Sequence, residues 1–165
     1  MSRNEAEPGS SFDAFYLSLF APLFRSLLVL SGSPGEAEDI AHEAFVRVFE
    51  RWESVSRMQA PDAYLFRTAL NLERNRVRRL VRRARRVVAD RDVQPDFAQE
   101  TIATLDLLRL LRQLSREQRE AIVLVDILGL TSEEAGRVAS VRADALRARL
   151  HRARTALRRG VEGDE

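Results

Sequence analysis

The chain has no cysteine and no lysine, and only two histidines, one tryptophan and two tyrosines among its 165 residues. Without thiols there is neither a disulfide framework nor a thiolate metal site, and a cytoplasmic location is the economical expectation. The two histidines, His42 and His151, are far apart in sequence. No glycine-rich phosphate loop or paired metal-ligand motif accompanies them. Nothing is left from which to assemble a catalytic centre, so no enzymatic activity, cofactor or metal is expected. The missing lysine makes all 27 basic side chains arginine, the cation that grips phosphates and base edges bidentately. The start of the chain, with Glu5, Glu7 and Pro8, lacks the positive end and apolar run of a signal peptide. The one long apolar stretch, residues 12–30, contains Pro22 and Arg25, which favours two core helices over a membrane span, and no membrane insertion is expected.

What is present is a folding composition, 45% hydrophobic, with its charge sharply segregated. The formal net charge is only +2, yet residues 33–55 hold six acids against two arginines and residues 67–91 hold ten arginines against two acids. Residues 89–106 hold five acids against one arginine, and residues 137–159 hold eight arginines against one acid. Two cationic blocks separated by an anionic one suit two contacts with a polyphosphate.

The second cationic block lies in a helix-turn-helix pattern. Ser115 to Gln118 forms a capping box that starts a helix with apolar residues at Ile122, Val125 and Leu128. Gly129 suits the left-handed backbone on which helices often end. A second box, Thr131 to Glu134, starts a short helix reaching Ser140, so the two helices must cross. After the turn at 140–142 a last helix buries Leu146, Leu150, Ala153 and Leu157, leaving Arg147, Arg149, Arg152 and Arg154 off that stripe. A charged helix alone is ordinary on a bundle surface. Two boxes at this spacing together with the charge favour a DNA-reading unit.

Upstream, residues 1–10 are expected to form a flexible arm. Two helices follow, 12–20 capped by Ser11 and 22–31 opened by Pro22, both hydrophobic enough to lie mainly inside. Residues 36–52 bury Ile40, Ala44, Val48 and Trp52 in one row and Ala41, Phe45 and Phe49 in the next. Their other side carries Glu38, Asp39, His42, Glu43, Arg47, Glu50 and Arg51, acids first, which suits both the helix dipole and a protein-docking surface. Residues 54–62 are expected to be a loop. In the helix from about Asp62 to Arg86, residues Arg67, Asn71, Arg74, Asn75, Arg78, Arg82 and Arg85 share an arc of roughly 100°, opposite Leu65, Ala69, Leu72 and Leu80. Asparagine amides can address base edges while arginines hold phosphates. Arg76 and Arg83 fall on the apolar side, so the helix should outgrow its core past about Val77. Residues 87–100, with Pro95 and several acids, are expected to be a linker and hinge, and residues 101–113 another amphipathic helix.

The assembled segments resemble the extracytoplasmic-function (ECF) sigma factors of the bacterial sigma-70 family. The carrying stretches are Ala37 to Phe45 (AEDIAHEAF), Ala63 to Asn71 (AYLFRTALN), and Leu150 to Arg154 (LHRAR) with the Gly129-Leu130-Thr131 turn before it; together they span about residues 12–159. The resemblance implies an all-α chain of two small helical domains joined by a flexible linker, the second a helix-turn-helix of the winged-helix-like, sigma region 4 type. Its domains would be a region 2-like unit at 11–86, a linker at 87–100 and a region 4-like unit at 101–160.

The function implied is that of an alternative sigma factor that binds the clamp helices and flap of core RNA polymerase, recognises the −10 and −35 promoter elements, and is held by an anti-sigma factor. Glu38, Asp39, His42 and Glu43 fall on the polymerase-docking helix, with Phe45 in the core. The loop 54–61 matches the one that captures a flipped −10 base. Arg67, Asn71, Arg74, Asn75 and Arg78 match the −10-facing helix. Arg147, Ala148, His151 and Arg152 match −35 major-groove positions, with Arg142 and Arg149 on phosphates. The sequence departs from the pattern in three places. Tyr64 stands where relatives have tryptophan, Leu70 stands in place of a basic residue, and residues 140–145 lack the usual glycine and caps, leaving Ser140 or Asp144 to cap the recognition helix. A rival reading is a stand-alone helix-turn-helix regulator that binds a palindromic operator as a dimer.

Overall fold

The computed structural model describes residues 8–86 and 102–162, with side chains described within 11–84 and 108–161. Every regular element among them is helical, as the sequence led one to expect. The expected linker, 87–100, lies outside the described residues.

Helix α1 (Pro8–Ser31) corrects the expectation of two helices, because it runs unbroken through Pro22 and begins within the expected arm. Proline has no amide to give the carbonyl four residues back. The helix stays whole because it is held on both sides of that defect. Before Pro22, the Phe12 ring lies 5.2 Å from Trp52 and the Tyr16 ring 4.7 Å from Phe45; after it, Leu23 and Leu27 are sunk in the core. The first half is nonetheless only partly covered, with no side chain between Ser11 and Ala21 fully buried, which corrects the expectation that it lies mainly inside. By length and composition residues Ser11–Ser31 could cross a membrane; here they pack along α2 and α4.

Gly32, at φ +71°, turns the chain out of α1. Ser33 then accepts from the Glu36 amide at 3.4 Å, and Pro34 occupies the first turn of α2 (Pro34–Phe49). Ile40, Ala41, Ala44, Phe45 and Val48 are buried as their spacing predicts, but Phe49 is 58% exposed. The helix ends there, and Trp52 is buried from a separate one-turn helix, α3 (Trp52–Val55), so the expected loop at 54–62 shrinks to residues 56–60. Helix α4 (Pro61–Arg86) buries Leu65, Ala69 and Leu72, with Phe66, Leu70 and Glu73 widening the buried arc. Leu80 is exposed, like every residue from 78 to 84, so the helix does outgrow its core. Arg76, on the apolar side, is accommodated by reaching Glu36 of α2 at 2.6 Å.

The second unit comprises α5 (Ile102–Gln113), α6 (Arg116–Ile122), a π-helical turn (Val123–Ile127), α7 (Ser132–Ala139) and α8 (Ala143–Glu162). Both capping boxes are formed. The Gln118 amide donates to Ser115 Oγ at 3.3 Å and the Ser115 amide to Gln118 Oε1 at 2.9 Å. The Glu134 amide donates to Thr131 Oγ1 at 3.2 Å and the Thr131 amide to Glu134 Oε2 at 2.8 Å. Each satisfies two amides a helix start would otherwise leave open. The π turn closes with the Leu128 amide on the Val123 carbonyl at 3.0 Å, five residues back, before Gly129 at φ +71° ends it. Ser140 takes the left-handed conformation at the end of α7, φ +59°. Gly136 lets α7 approach the next turn, since a Cβ there would stand 2.8 Å from the Val141 carbonyl oxygen. The last helix begins at Ala143, and the Asp144 carboxylate goes to Arg147 at 2.6 Å.

The two units do not stand apart. Helix α1 packs on α6 and the π turn, α4 packs on α7, and one hydrophobic cluster runs through both.

Candidate nucleic-acid and protein interfaces

The α4 arc is outward-facing at Arg67, Asn71, Asn75 and Arg78, all exposed. Arg74 departs from it. Its guanidinium turns to the second unit, where Nε donates to Glu120 Oε1 at 2.9 Å and Nη2 to Glu120 Oε2 at 2.6 Å and to the Ala139 carbonyl at 3.2 Å. Arg116 completes the arrangement, donating through Nη2 to Glu73 Oε2 and through Nε to Glu120 Oε1 at 3.3 Å. Glu73 and Glu120 are each 3% exposed. Burial pushes the Glu73 carboxyl up, against the pull of Arg116, and the hydrogen bond with Glu120 holds Arg74 more firmly in its charged form. The sequence reading missed Glu73, Arg116 and Glu120. The one available signal was Glu73 itself, a lone carboxylate early in an arginine-rich helix.

On α8 and its approach, Arg142, Arg147, Ala148, His151 and Arg152 are exposed, and Arg149 is half-buried. Two of the four arginines off the apolar stripe have carboxylate partners from other elements. Arg147 reaches Glu133 at 2.7 Å and Asp144 at 2.6 Å, and it holds the Glu133 carboxyl below its ordinary range. Arg154 pairs with Asp126, its Nε 3.2 Å from Oδ2. The acids that partner these arginines come from the π turn, from α7 and, for Arg147, from Asp144 of the same helix. Arg149, together with Arg74, Arg78, Arg116, Glu117, Glu120 and Val141, lines a cleft of about 300 Å³ between the units.

On α2, Glu38, Asp39, His42 and Glu43 are all exposed. Glu43 pairs with Arg47 at 2.6 Å, and His42 stacks on Phe20 with ring centroids 5.4 Å apart. Val46 and Phe49, exposed at 55% and 58%, continue the same side of the helix as apolar neighbours that the sequence reading did not assign to the surface. Asp39 and Glu43 also line a groove with Arg76, Arg79 and Arg83 of α4. Among the described residues no group of three or more metal-ligating side chains stands together.

Two family profiles match this chain in order. Sigma-70 region 2 matches residues 15–83, and sigma-70 region 4 matches residues 104–157. Among curated relatives, the RNA polymerase sigma-E factor of Streptomyces avermitilis is 30% identical over 142 residues, covering 85% of this chain and 79% of that protein. The chain belongs to the ECF sigma factors of the sigma-70 family.

Another relative of the sigma factor, the ECF RNA polymerase sigma factor SigE of Mycolicibacterium smegmatis, is 35% identical over 146 residues. That match covers 82% of this chain but only 56% of the longer relative. In fold, the sigma factor is similar to RpoE of Bartonella quintana, solved in complex with the anti-sigma factor NepR, with a TM-score of 0.78 at 22% identity over 94% of this chain and 99% of that one. Region 2 coincides with the unit that holds α2 and the α4 arginine arc, and region 4 with the helix-turn-helix.

Proposed function

We propose that this sigma factor joins core RNA polymerase and directs initiation at promoters carrying its −10 and −35 elements, without catalysing a reaction itself. What carries the reading is the pair of sigma-70 matches in chain order, each on a unit with an outward arginine surface. In it, residues 11–86 act as the region 2 unit and 101–160 as the region 4 unit, joined through 87–100. Arg67, Asn71, Asn75 and Arg78 face the −10 element, with Arg74 on the same helix but engaged by Glu120, and the stretch 54–61, of which 56–60 is loop, takes the flipped base. Arg142, Arg147, Arg149, His151 and Arg152 meet the −35 element. Glu38, Asp39, His42 and Glu43 dock on the clamp helices, helped by exposed Val46 and Phe49, while region 4 meets the flap. The site of action is the cytoplasm, where an anti-sigma factor restrains the protein, as NepR is bound to the Bartonella factor.

Run-off transcription with core polymerase, with and without this protein, is the direct test. The expected result is a transcript of defined start that depends on the added chain. No transcript, combined with tight dimeric binding of the isolated chain to a palindromic site, would establish a stand-alone helix-turn-helix regulator instead. Reversing the charge at Asp39 or Glu43, both exposed, should weaken co-purification with core polymerase by about tenfold and leave the melting temperature unchanged. Undiminished co-purification moves the docking surface elsewhere.

A further inference from the structure

Residues 137–159 contain eight arginines and a single acid, Asp144, which stands in the first turn of α8. In a helix-turn-helix that is the end of the second helix whose side chains meet base edges, while the first helix crosses the phosphate backbone. A carboxylate there repels the polyanion it approaches. The Asp144 carboxylate is turned to two arginines, with Oδ1 accepting from Arg147 Nη2 at 2.6 Å and Oδ2 3.8 Å from Arg142 Nη2. The Arg147 guanidinium also donates through Nη1 to Glu133 Oε1 of α7 at 2.7 Å. Glu134, beside it, closes the capping box of α7, so the start of that helix does not need the Glu133 side chain. The side chains of Arg147, Glu133 and Asp144 are 50%, 61% and 72% exposed, and ion pairs so open to water add little to stability. Holding the fold together therefore does not account for them.

Their effect falls on what Arg147 can bind. With Nη1 and Nη2 held by different acids, its fork must give up two contacts before it takes another partner. A guanine edge returns two, through O6 and N7, and carries no charge. A phosphate also offers two oxygens, but its charge is set against both displaced carboxylates. The lost contacts are the same in the two encounters, and the repulsion arises only in the second. Arg152, further along α8, is exposed with no carboxylate partner among the described residues and carries no such restraint.

We infer that Glu133 and Asp144 determine the specificity of the −35 contact: holding Arg147 between two negative charges, they admit it to a guanine edge and keep it off phosphate. The filter rests on the reading that α8 faces DNA. Its test uses the holoenzyme, the full chain with core RNA polymerase. The probe is a pool of random-sequence duplex DNA, selected by the holoenzyme and sequenced, with retention of the unselected pool measured beside it.

The native holoenzyme is expected to enrich a guanine that Arg147→Ala erases while the other selected positions persist. Glu133→Gln and Asp144→Asn, which remove the charge and keep the shape, should each lower the preference for that guanine by about fivefold, the low end of what one bidentate pair gives. Both should also raise retention of the unselected pool and steepen its salt dependence, because an unrestrained arginine takes up phosphate. Their melting temperatures should match that of the native chain, a readout that a merely structural role would move. An undiminished guanine preference in both amide variants overturns the filter and leaves the region 4 reading standing. Loss of binding that is equal for every sequence overturns it as well. If Arg147→Ala erases no guanine, Arg147 reads no base and the filter falls. If the native holoenzyme selects nothing that changes with Arg147→Ala or Arg152→Ala, the assignment of α8 to DNA is lost and the filter with it.

Discussion

Glu73 is the residue on which sequence and structure part most clearly. Along α4 its position marks only the edge of a helix dominated by arginine, and its partner Arg116 is 43 residues away. No local pattern reports such a pair. Burial raises its pKa above the ordinary 4.5, Arg116, Arg119 and Arg74 draw it down, and neighbouring Glu120 raises it further. A folded-state pKa above the unfolded one means that the native state holds the proton more tightly. The associated stability is therefore complete below the ordinary carboxyl value and is lost as pH rises through the raised one. Glu73→Gln, neutral throughout, should flatten this loss. Melting temperatures of the two proteins, compared from about pH 4.5 to pH 7, are expected to diverge in favour of the variant as pH rises. A variant destabilised by the same amount at every pH would show that the substitution has merely removed contacts.

At the scale of the element, what was legible was what is local. Both capping boxes, the stop at Gly129 and the buried stripe of α8 follow from residues within one or two turns of each other, and all are formed, with Leu157 at the end of the stripe only half-buried. The continuity of α1 was not legible, because Pro22 argues for a break locally and only packing against Phe45 and Trp52 decides otherwise. The helix thus tolerates a residue that costs roughly 3 kcal/mol in a helix interior. Pro22→Ala should recover about 1–3 kcal/mol of stability in urea unfolding; a loss would mean that the proline sets a bend the core requires. In α8 the arginines were legible but not their partners. Arg147 is engaged by Glu133 and Asp144, while Arg152 is exposed with no carboxylate partner among the described residues. Arg152→Ala is accordingly expected to weaken binding to a −35 duplex by ~1–3 kcal/mol, and Arg147→Ala by less, since DNA must first displace two carboxylates from it. Equal losses for the two in binding isotherms would show that the intramolecular pairs count for nothing.

For the whole molecule, the charge pattern along the chain suggested two contacts with a polyphosphate, and the packing of α1 and α4 against α6 and α7 brings the units that carry them together. The pattern did not report the pairs Arg74–Glu120 and Glu73–Arg116, which close across the seam and whose α6 members lie outside every charge block. A compact chain of this length has a radius of gyration of about 15 Å, and two separated units would be larger. Salt distinguishes the forces involved. Contacts with DNA phosphates release counterions, so affinity should fall steeply with a log–log slope of about −0.9 per phosphate. The seam combines an apolar cluster with ion pairs held largely out of water, which ions screen far less. Between about 0.1 and 0.5 M sodium chloride, small-angle scattering of the free protein should therefore stay near the compact value while DNA affinity drops by orders of magnitude. Expansion that tracks the loss of affinity would mean that surface charge alone holds the units together, and the buried pairs Glu73–Arg116 and Arg74–Glu120 would then have no special part in closure.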